Sequence, residues 1–253
     1  MDAHDYILRA RSLVTSPNLN AEMFLRTIEY CERALELDPN YFRAYAVQAM
    51  AHLFNVQNRW SKDPEASLPI AREMAALAVK FAPDEPLAYQ VQSFVAQMEG
   101  DWDLTLASVN RALELDPNLA YSLMARGAAA IFKGHPEDSF DDLEHAMRLD
   151  PGFSHQYLHF IGLAHYFLGN YQAAELMFRE RLMLAKDTDN GRVLLAATLG
   201  QLGQPDEAQQ VWRELKELHP EFSYKQRLAA QPYQDPSYEK HILDGLSKAG
   251  VKD

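Results

Sequence analysis

Three histidines have the spacing that most invites a chemical interpretation. His155, His159 and His165 fall in one predicted helix, and the first two are four residues apart. Residues four apart share a helix face, and two imidazoles placed in this way bind a metal when a third ligand is near. The glutamate of the HExxH motif is missing between them, and the sequence offers no evident fourth ligand. We therefore predict no metal site, with His159 facing a binding groove and His165 packed in the core.

The other candidates for chemistry have simpler structural explanations. Cys31 is the single cysteine and lies one helical turn from Ala34, so we predict a buried thiol and not a nucleophile. Adjacent acids such as Asp141 and Asp142 fall at turns or helix starts, where they complement the helix dipole. The sequence contains no phosphate-binding glycine motif and no GxSxG nucleophile elbow. These observations predict a protein that is not an enzyme and needs no cofactor.

Composition narrows the function classes further. The 253 residues carry 24 basic and 36 acidic side chains, a formal net charge of −12, and 47% of them are hydrophobic. Such a chain is globular, and its acidity argues against binding to nucleic acid or anionic lipid, because both rely on Lys and Arg. No apolar stretch approaches the roughly 20 residues of a membrane-spanning helix, and the N-terminal residues lack a secretory pattern. We expect a cytoplasmic protein that binds neither nucleic acid nor membrane.

Internal repetition is the strongest signal in the sequence. The segment ALELDPN occurs at 34–40 and again at 112–118. Four glycines follow one another at intervals of 34, 35 and 34 residues: Gly100, Gly134, Gly169 and Gly203. Four prolines have intervals of 44, 34 and 34 residues: Pro39, Pro83, Pro117 and Pro151. Two series with the same period predict a repeat of 34 residues, in which glycine follows a first helix and proline closes a second.

The residues inside the repeats resemble the tetratricopeptide repeat (TPR), whose pattern is W-x2-L-G-x2-Y, then A-x3-F, then P. The fifth repeat matches it with Leu158, Ile161, Gly162, His165, Ala174 and Phe178. The resemblance implies an all-α, right-handed α-solenoid of about six helix pairs with a C-terminal capping helix, formed as one domain over 1–253. The predicted repeats are 4–40, 41–84, 85–118, 119–153, 154–187 and 188–221, and the capping segment is 222–253.

A closer resemblance is to a bacterial module. The segments WSKDPEASLPIAREMAALAVKFAPDEP (60–86) and PYQDPSYEKHILDGLSKAGV (232–251) are similar to the C-terminal repeat region behind class III adenylate/guanylate cyclase domains and behind some winged-helix regulators. The sequence contains neither a cyclase nor a DNA-binding domain, so their activities are not carried over. The resemblance implies a regulatory or scaffold part of a signalling protein, either excised or stand-alone.

Two segments depart from the regular repeat. The second repeat has ten extra residues, and FNVQNRWSKDPEA (54–66) is predicted to be a loop around Trp60. Such a loop either borders an interaction face or packs Trp60 on a neighbouring helix. After a helix predicted at 222–230, Asp235 caps a terminal helix over 237–250, and Gly250 ends it.

The inner wall of a stacked-helix protein comes from the first helix of each pair. We predict that this wall binds the partner through residues of mostly neutral or apolar character: Tyr45, Gln90, Phe94, Gln97, Tyr121, Met124, Ile131, His159, Tyr166 and Arg192. Their character favours an apolar or amidated peptide, helix or partner domain. Two alternatives stay open: homo-oligomerisation, and small-ligand sensing in a groove closed by the Trp60 loop.

Overall fold

The computed structural model describes residues 2–14, 16, 20–58, 60–185, 189–225 and 233–251. In these ranges the chain forms thirteen α-helices and no strand. The helices belong to two compact units, Met1–Pro117 and Asn118–Asp253. The predicted all-α repeat architecture is therefore confirmed.

Unit 1 consists of three antiparallel helix pairs. Its helices are α1 (Ala3–Val14), α2 (Ala21–Leu37), α3 (Phe42–Asn58), α4 (Ser67–Phe81), α5 (Pro86–Glu99) and α6 (Trp102–Leu115). Alanines at the helix contacts, among them Ala49, Ala71 and Ala88, are almost completely buried. Small side chains at these positions let the two helices of a pair approach closely. The first helices of the pairs are α1, α3 and α5.

Unit 2 contains three more pairs and a terminal helix. Its helices are α7 (Ala120–Phe132), α8 (Phe140–Leu149), α9 (Ser154–Phe167), α10 (Tyr171–Leu184), α11 (Asp189–Gln201), α12 (Pro205–Leu218) and α13 (Pro236–Lys248). Short 3-10 turns at Pro136–Ser139 and Pro151–Phe153 precede α8 and α9. The first helices of these pairs are α7, α9 and α11.

The residues of the repeat pattern have the expected packing. Phe178 and Ala174 of α10 are fully buried, and a methyl group added at Gly162 of α9 would lie 2.7 Å from the Phe178 ring. The glycine series Gly100, Gly134, Gly169 and Gly203 adopts φ values of 71°, 95°, 77° and 71°. This left-handed conformation favours glycine and ends the first helices α5, α7, α9 and α11.

The insertion in the second repeat is partly helical, which corrects the prediction of a loop over 54–66. Helix α3 continues to Asn58. The buried Asn55 side chain joins its end to the following segment by donating hydrogen bonds to Ser61 Oγ (2.8 Å) and Ser67 Oγ (2.7 Å). The Trp60 ring lies 6.3 Å from the Phe24 ring of α2. Trp60 therefore packs on a neighbouring helix, as one of the two interpretations expected.

The terminal helix begins and ends as the sequence predicts. Asp235 accepts a hydrogen bond from the backbone N–H of Ser237 at 2.8 Å, and Gly250 has a φ of 67°. Most of the helix predicted at 222–230 lies outside the described residues.

Candidate functional site

Equivalent positions in successive repeats identify the surface on the first helices. Counting back three residues from each glycine of the series gives Gln97, Ile131, Tyr166 and Gly200, and counting back two gives Met98, Phe132, Phe167 and Gln201. We call Gln90, Phe94, Gln97 and Met98 of α5 the unit 1 face. We call Phe132, Tyr166, Phe167, Gly200 and Gln201 of α7, α9 and α11 the unit 2 face.

The unit 2 face is covered by helix α13 and the residues just before it. Tyr238 stacks on Phe167, with ring centroids 3.9 Å apart and planes 8° from parallel. Tyr233 contacts Phe132 at 5.0 Å between centroids, and the His241 ring lies 4.7 Å from the Tyr166 ring. One terminal segment thus contacts the ends of all three first helices of the unit.

Hydrogen bonds fix α13 in this position. The Tyr166 hydroxyl donates to the backbone carbonyl of His241 at 2.8 Å, and Gln201 Nε2 donates to Asp244 Oδ2 at 3.0 Å. Upstream of the helix, the N–H of Gln234 donates to the carbonyl of Phe132 at 3.1 Å. These bonds add direction to a contact whose area is mostly apolar.

The crossing of α11 and α13 is close enough to require glycine on both helices. A methyl group at Gly245 would lie 2.5 Å from the Ala197 carbonyl oxygen and 2.6 Å from the Tyr166 hydroxyl. A methyl group at Gly200 would overlap the carbonyl oxygen of Gly245. The two backbones touch here, which allows Ile242 and Leu246 to become completely buried on either side of the crossing.

Burial in unit 2 corrects part of the predicted wall. Ile131 and Tyr166 have no exposed surface, and Met124 is 7% exposed. These three side chains therefore offer no open surface to a partner. Tyr121 is half-buried, and desolvation raises the pKa of its hydroxyl.

His159 is also buried and does not face a groove. Its Nδ1 accepts a hydrogen bond from Arg181 Nη1 at 2.8 Å, and its Nε2 lies 3.4 Å from Asn190 Nδ2. Burial, and then the Arg181 charge, hold the pKa of His159 well below its usual value. His159 is thus a neutral, buried imidazole whose contacts join α9, α10 and α11. His165 is half-buried, with its ring 4.7 Å from Phe140.

Tyr45 and Arg192 lie on the opposite side of their helices, which corrects their assignment to the wall. Tyr45 stacks on Phe81 of α4 at 5.5 Å, in a crevice of about 540 Å³ whose other lining residues include Glu32 of α2. Arg192 lines a crevice of about 610 Å³ with Arg179 of α10 and Glu207 of α12. Both side chains thus lie between consecutive second helices, so neither belongs to the first-helix faces.

Gln90, Phe94 and Gln97 are partly exposed, and Phe94 also packs against the hydrophobic core of unit 1, so their assignment to the wall stays a prediction. On α5, Tyr89 and Gln92 mark the side that contacts second helices: the Arg111 guanidinium of α6 lies 5.9 Å from the Tyr89 ring centroid, and Ser108 of α6 donates to Gln92 Oε1 at 2.9 Å. The helical rotation of about 100° per residue places Gln90 and Phe94 away from that side. Met98, which sequence reasoning left out, is 39% exposed.

The remaining chemical candidates are structural. Cys31 is fully buried, and desolvation raises the pKa of its thiol to about 12. Over the described ranges, no group of three or more His, Cys, Asp or Glu side chains is arranged to hold a metal ion. Within the same ranges, no helix combines the length and apolar character needed to cross a bilayer.

Among the comparisons with known proteins, only those with solved structures found matches, and these support the fold. No family model and no curated protein sequence matches this chain. PilW, a type IV pilus biogenesis factor, aligns with a TM-score of 0.71 and 16% identity over 90% of this chain and 98% of its own. The APC/C hetero-tetramer Cut9–Hcn1 aligns at 0.70 and 15% identity over 98% of this chain. YrrB, described as a TPR protein with an unusual peptide-binding site, aligns at 0.51 and 18% identity over 75% of this chain and 90% of its own.

These likenesses establish a TPR-type helical-repeat fold. The chain spans 46% of the length of the Cut9–Hcn1 chain that it matches. The predicted resemblance to tetratricopeptide repeats is confirmed at the level of the fold.

Proposed function

We propose that this chain is a non-catalytic interaction module that binds a peptide, helix or partner domain on its first-helix faces. The observation that carries the proposal is the docking of α13 on the unit 2 face, where Ile242 and Leu246 are completely buried. An amphipathic helix is thus already recognised by side chains of first helices. Burying two such side chains contributes about 2 kcal/mol each.

The unit 1 face has residues of the same character for an external partner. Gln90, Phe94 and Gln97 are partly exposed, and Met98 is 39% exposed. An aromatic ring and a thioether supply contact area, and amides orient a bound backbone through hydrogen bonds. A neutral, apolar or amidated segment suits this face better than a carboxylate-rich one, since Lys and Arg are missing from it.

Two observations from other proteins agree with this proposal. YrrB carries a peptide-binding site, and Cut9–Hcn1 is a hetero-tetramer. The net charge of −12 disfavours nucleic acid as the partner. We further propose that the module acts in the cytoplasm as a regulatory or scaffold part of a bacterial signalling protein.

Site-specific photo-crosslinking tests the proposal. A photoreactive phenylalanine analogue at Phe94 of the full chain should give an adduct with one partner. The same analogue at Leu25 of α2, which is 65% exposed, is the matched control and should give no adduct with that partner. With the purified partner, Phe94→Ala should weaken binding about tenfold and Leu25→Ala should not. Equal effects of the two substitutions would contradict a binding role for the unit 1 face.

Homo-oligomerisation is the alternative that light scattering separates from this proposal. If the chain is a monomer at all concentrations, homo-oligomerisation is excluded. If it is a dimer that the Phe94→Ala substitution dissociates, the partner is a second copy of the chain. Small-ligand sensing was suggested by a loop around Trp60 that would close a groove. Trp60 instead packs against Phe24 of α2.

A further inference from the structure

We propose that α13 is a built-in, exchangeable ligand of unit 2, and that the external occupant of the unit 2 face is a partner's amphipathic helix of the same chemistry. That helix would carry a glycine where Gly245 crosses Gly200 and an aromatic side chain two turns earlier, where Tyr238 contacts Phe167. The inference rests on the proposed function and extends it by naming the partner's chemistry and what controls its access.

The cores of two of the three helix pairs in unit 2, α7–α8 and α9–α10, do not involve α13. Phe178 packs on Gly162 between α9 and α10, and Leu143 packs on Gly127 between α7 and α8. Helix α13 contributes to neither contact and joins the unit through its outer surface. A terminal element of this kind can leave while these two pairs stay folded.

The polar contacts of α13 also suit exchange. Across the contact, Gln201 donates to Asp244 Oδ2 at 3.0 Å and accepts from Lys248 Nζ at 2.8 Å, and the Asp244 and Lys248 side chains are about half exposed. Polar contacts between exposed side chains contribute little to stability. The docked state therefore depends mainly on Ile242, Leu246 and the aromatic contacts, which a partner helix can reproduce.

Release of α13 without a replacement is unfavourable. It would expose Ile242 and Leu246, which are 0% and 1% exposed in the docked state, together with the unit 2 face. A tethered helix also has a high effective concentration at its own site. The unit 2 face is consequently closed until a partner helix of matching shape competes for it.

The glycine crossing determines which helices can compete. Because added methyl groups at Gly200 or Gly245 meet backbone atoms of the opposite helix, rotation of a side chain cannot relieve the overlap. A helix with a larger residue at the crossing would stand away from the face. It would then lose the contacts equivalent to Tyr238–Phe167 and His241–Tyr166.

The test uses the full chain and a fluorescently labelled peptide of residues 233–251. The wild-type chain should bind this peptide weakly, since its own α13 occupies the face. The Gly245→Leu chain, whose α13 cannot dock while its unit 2 face is unchanged, should bind the peptide at least tenfold more tightly. A labelled peptide carrying the same Gly245→Leu substitution is the matched control and should not bind either chain.

Equal affinity of the two chains for the wild-type peptide would overturn the proposal, as would equal binding of both peptides. Circular dichroism tests whether the Gly245→Leu chain is folded. If it is not, Ile242→Asp weakens α13 without changing the face, and the same comparison decides. This assay involves only unit 2 and its own helix, whereas the Phe94 crosslinking experiment tests the unit 1 face. A failure of the assay is therefore distinguishable from a failure of the proposed function.

Discussion

The two units carry equivalent positions on their first helices but differ in what those positions contact. Met98 of unit 1 is 39% exposed, whereas Phe167, its equivalent two repeats later, stacks on Tyr238 at 3.9 Å. Ile131 and Tyr166 of unit 2 have no exposed surface at all. At Tyr166 and Phe167 the difference comes from α13, which contacts both rings. The accessibility of a residue on a repeat surface therefore depends on which other element covers it, as well as on the repeat itself.

The largest effect is expected at the crossing of α11 and α13. Gly200→Ala places a methyl group against the carbonyl oxygen of Gly245, so α13 should separate from unit 2. The steric overlap should lower the free energy of unfolding by about 3 kcal/mol. The higher helix propensity of alanine should offset up to about 1 kcal/mol of this loss. Hydrogen exchange should show the amides of 236–248 losing protection.

Gly169→Asn is the control for this substitution. Gly169 has a φ of 77° with nothing within 4 Å of an added methyl group, and asparagine tolerates this conformation. We expect a change of only about 0.5 kcal/mol. Unchanged protection of α13 in Gly200→Ala would show that the crossing does not hold the helix in place.

A matched pair of truncations compares the two faces directly. Phe167→Ala removes a ring that contacts both Tyr238 and Tyr233, and should cost about 2 kcal/mol. Met98→Ala at the equivalent position of unit 1 should cost about 0.5 kcal/mol, because 39% of that side chain is already exposed. Chemical denaturation measures both. Equal losses would mean that the two faces are covered to the same extent.

A smaller effect is expected from pH on the contact between α13 and the unit 2 face. Burial lowers the pKa of His241, with Lys248 lowering it further and Asp244 opposing; its Nε2 also lies 2.8 Å from the Tyr171 hydroxyl. A released His241 takes up a proton more readily than the docked one. The docking of α13 should therefore be strongest above about pH 6.5 and weaken as the pH falls below it.

Exchange protection of α13 between pH 8 and pH 5 measures this dependence. His241→Gln keeps a polar side chain but does not titrate in this range, so it should remove the dependence. The same slope in wild type and variant would assign the effect to another group.

The smallest expected effect is at Cys31, which reports on unit 1. Its thiol is fully buried, with a pKa of about 12, so a thiol reagent should not modify it at pH 8 in the folded chain. Gly200→Ala should leave it equally unreactive, since the change falls in unit 2. Rapid modification in that variant would show that loss of α13 also opens unit 1.

Much of the fold was predictable because the signals are local. The glycine series, the closing prolines and the apolar spacing gave the helix pairs, and Asp235 marked the start of α13. The predicted wall was less accurate, since a face on a helix depends on rotation of about 100° per residue. Tyr45, Tyr89 and Arg192 occupy the same position in three different repeats. The prediction placed Tyr45 and Arg192 on the wrong side of their helices. The Tyr89 and Tyr45 hydroxyls both donate to a preceding proline carbonyl, which only the structure reveals.

By itself the sequence determined the repeat, the helix pairs and the amphipathic terminal helix, because these depend on residues within one or two turns of each other. The tertiary structure alone decided where that terminal helix lies. The bond from Tyr166 to the carbonyl of His241 joins residues 75 positions apart, and the glycines that permit it lie on two different helices. Periodicity along a chain carries no information about such a meeting, since it depends on backbone approach in space.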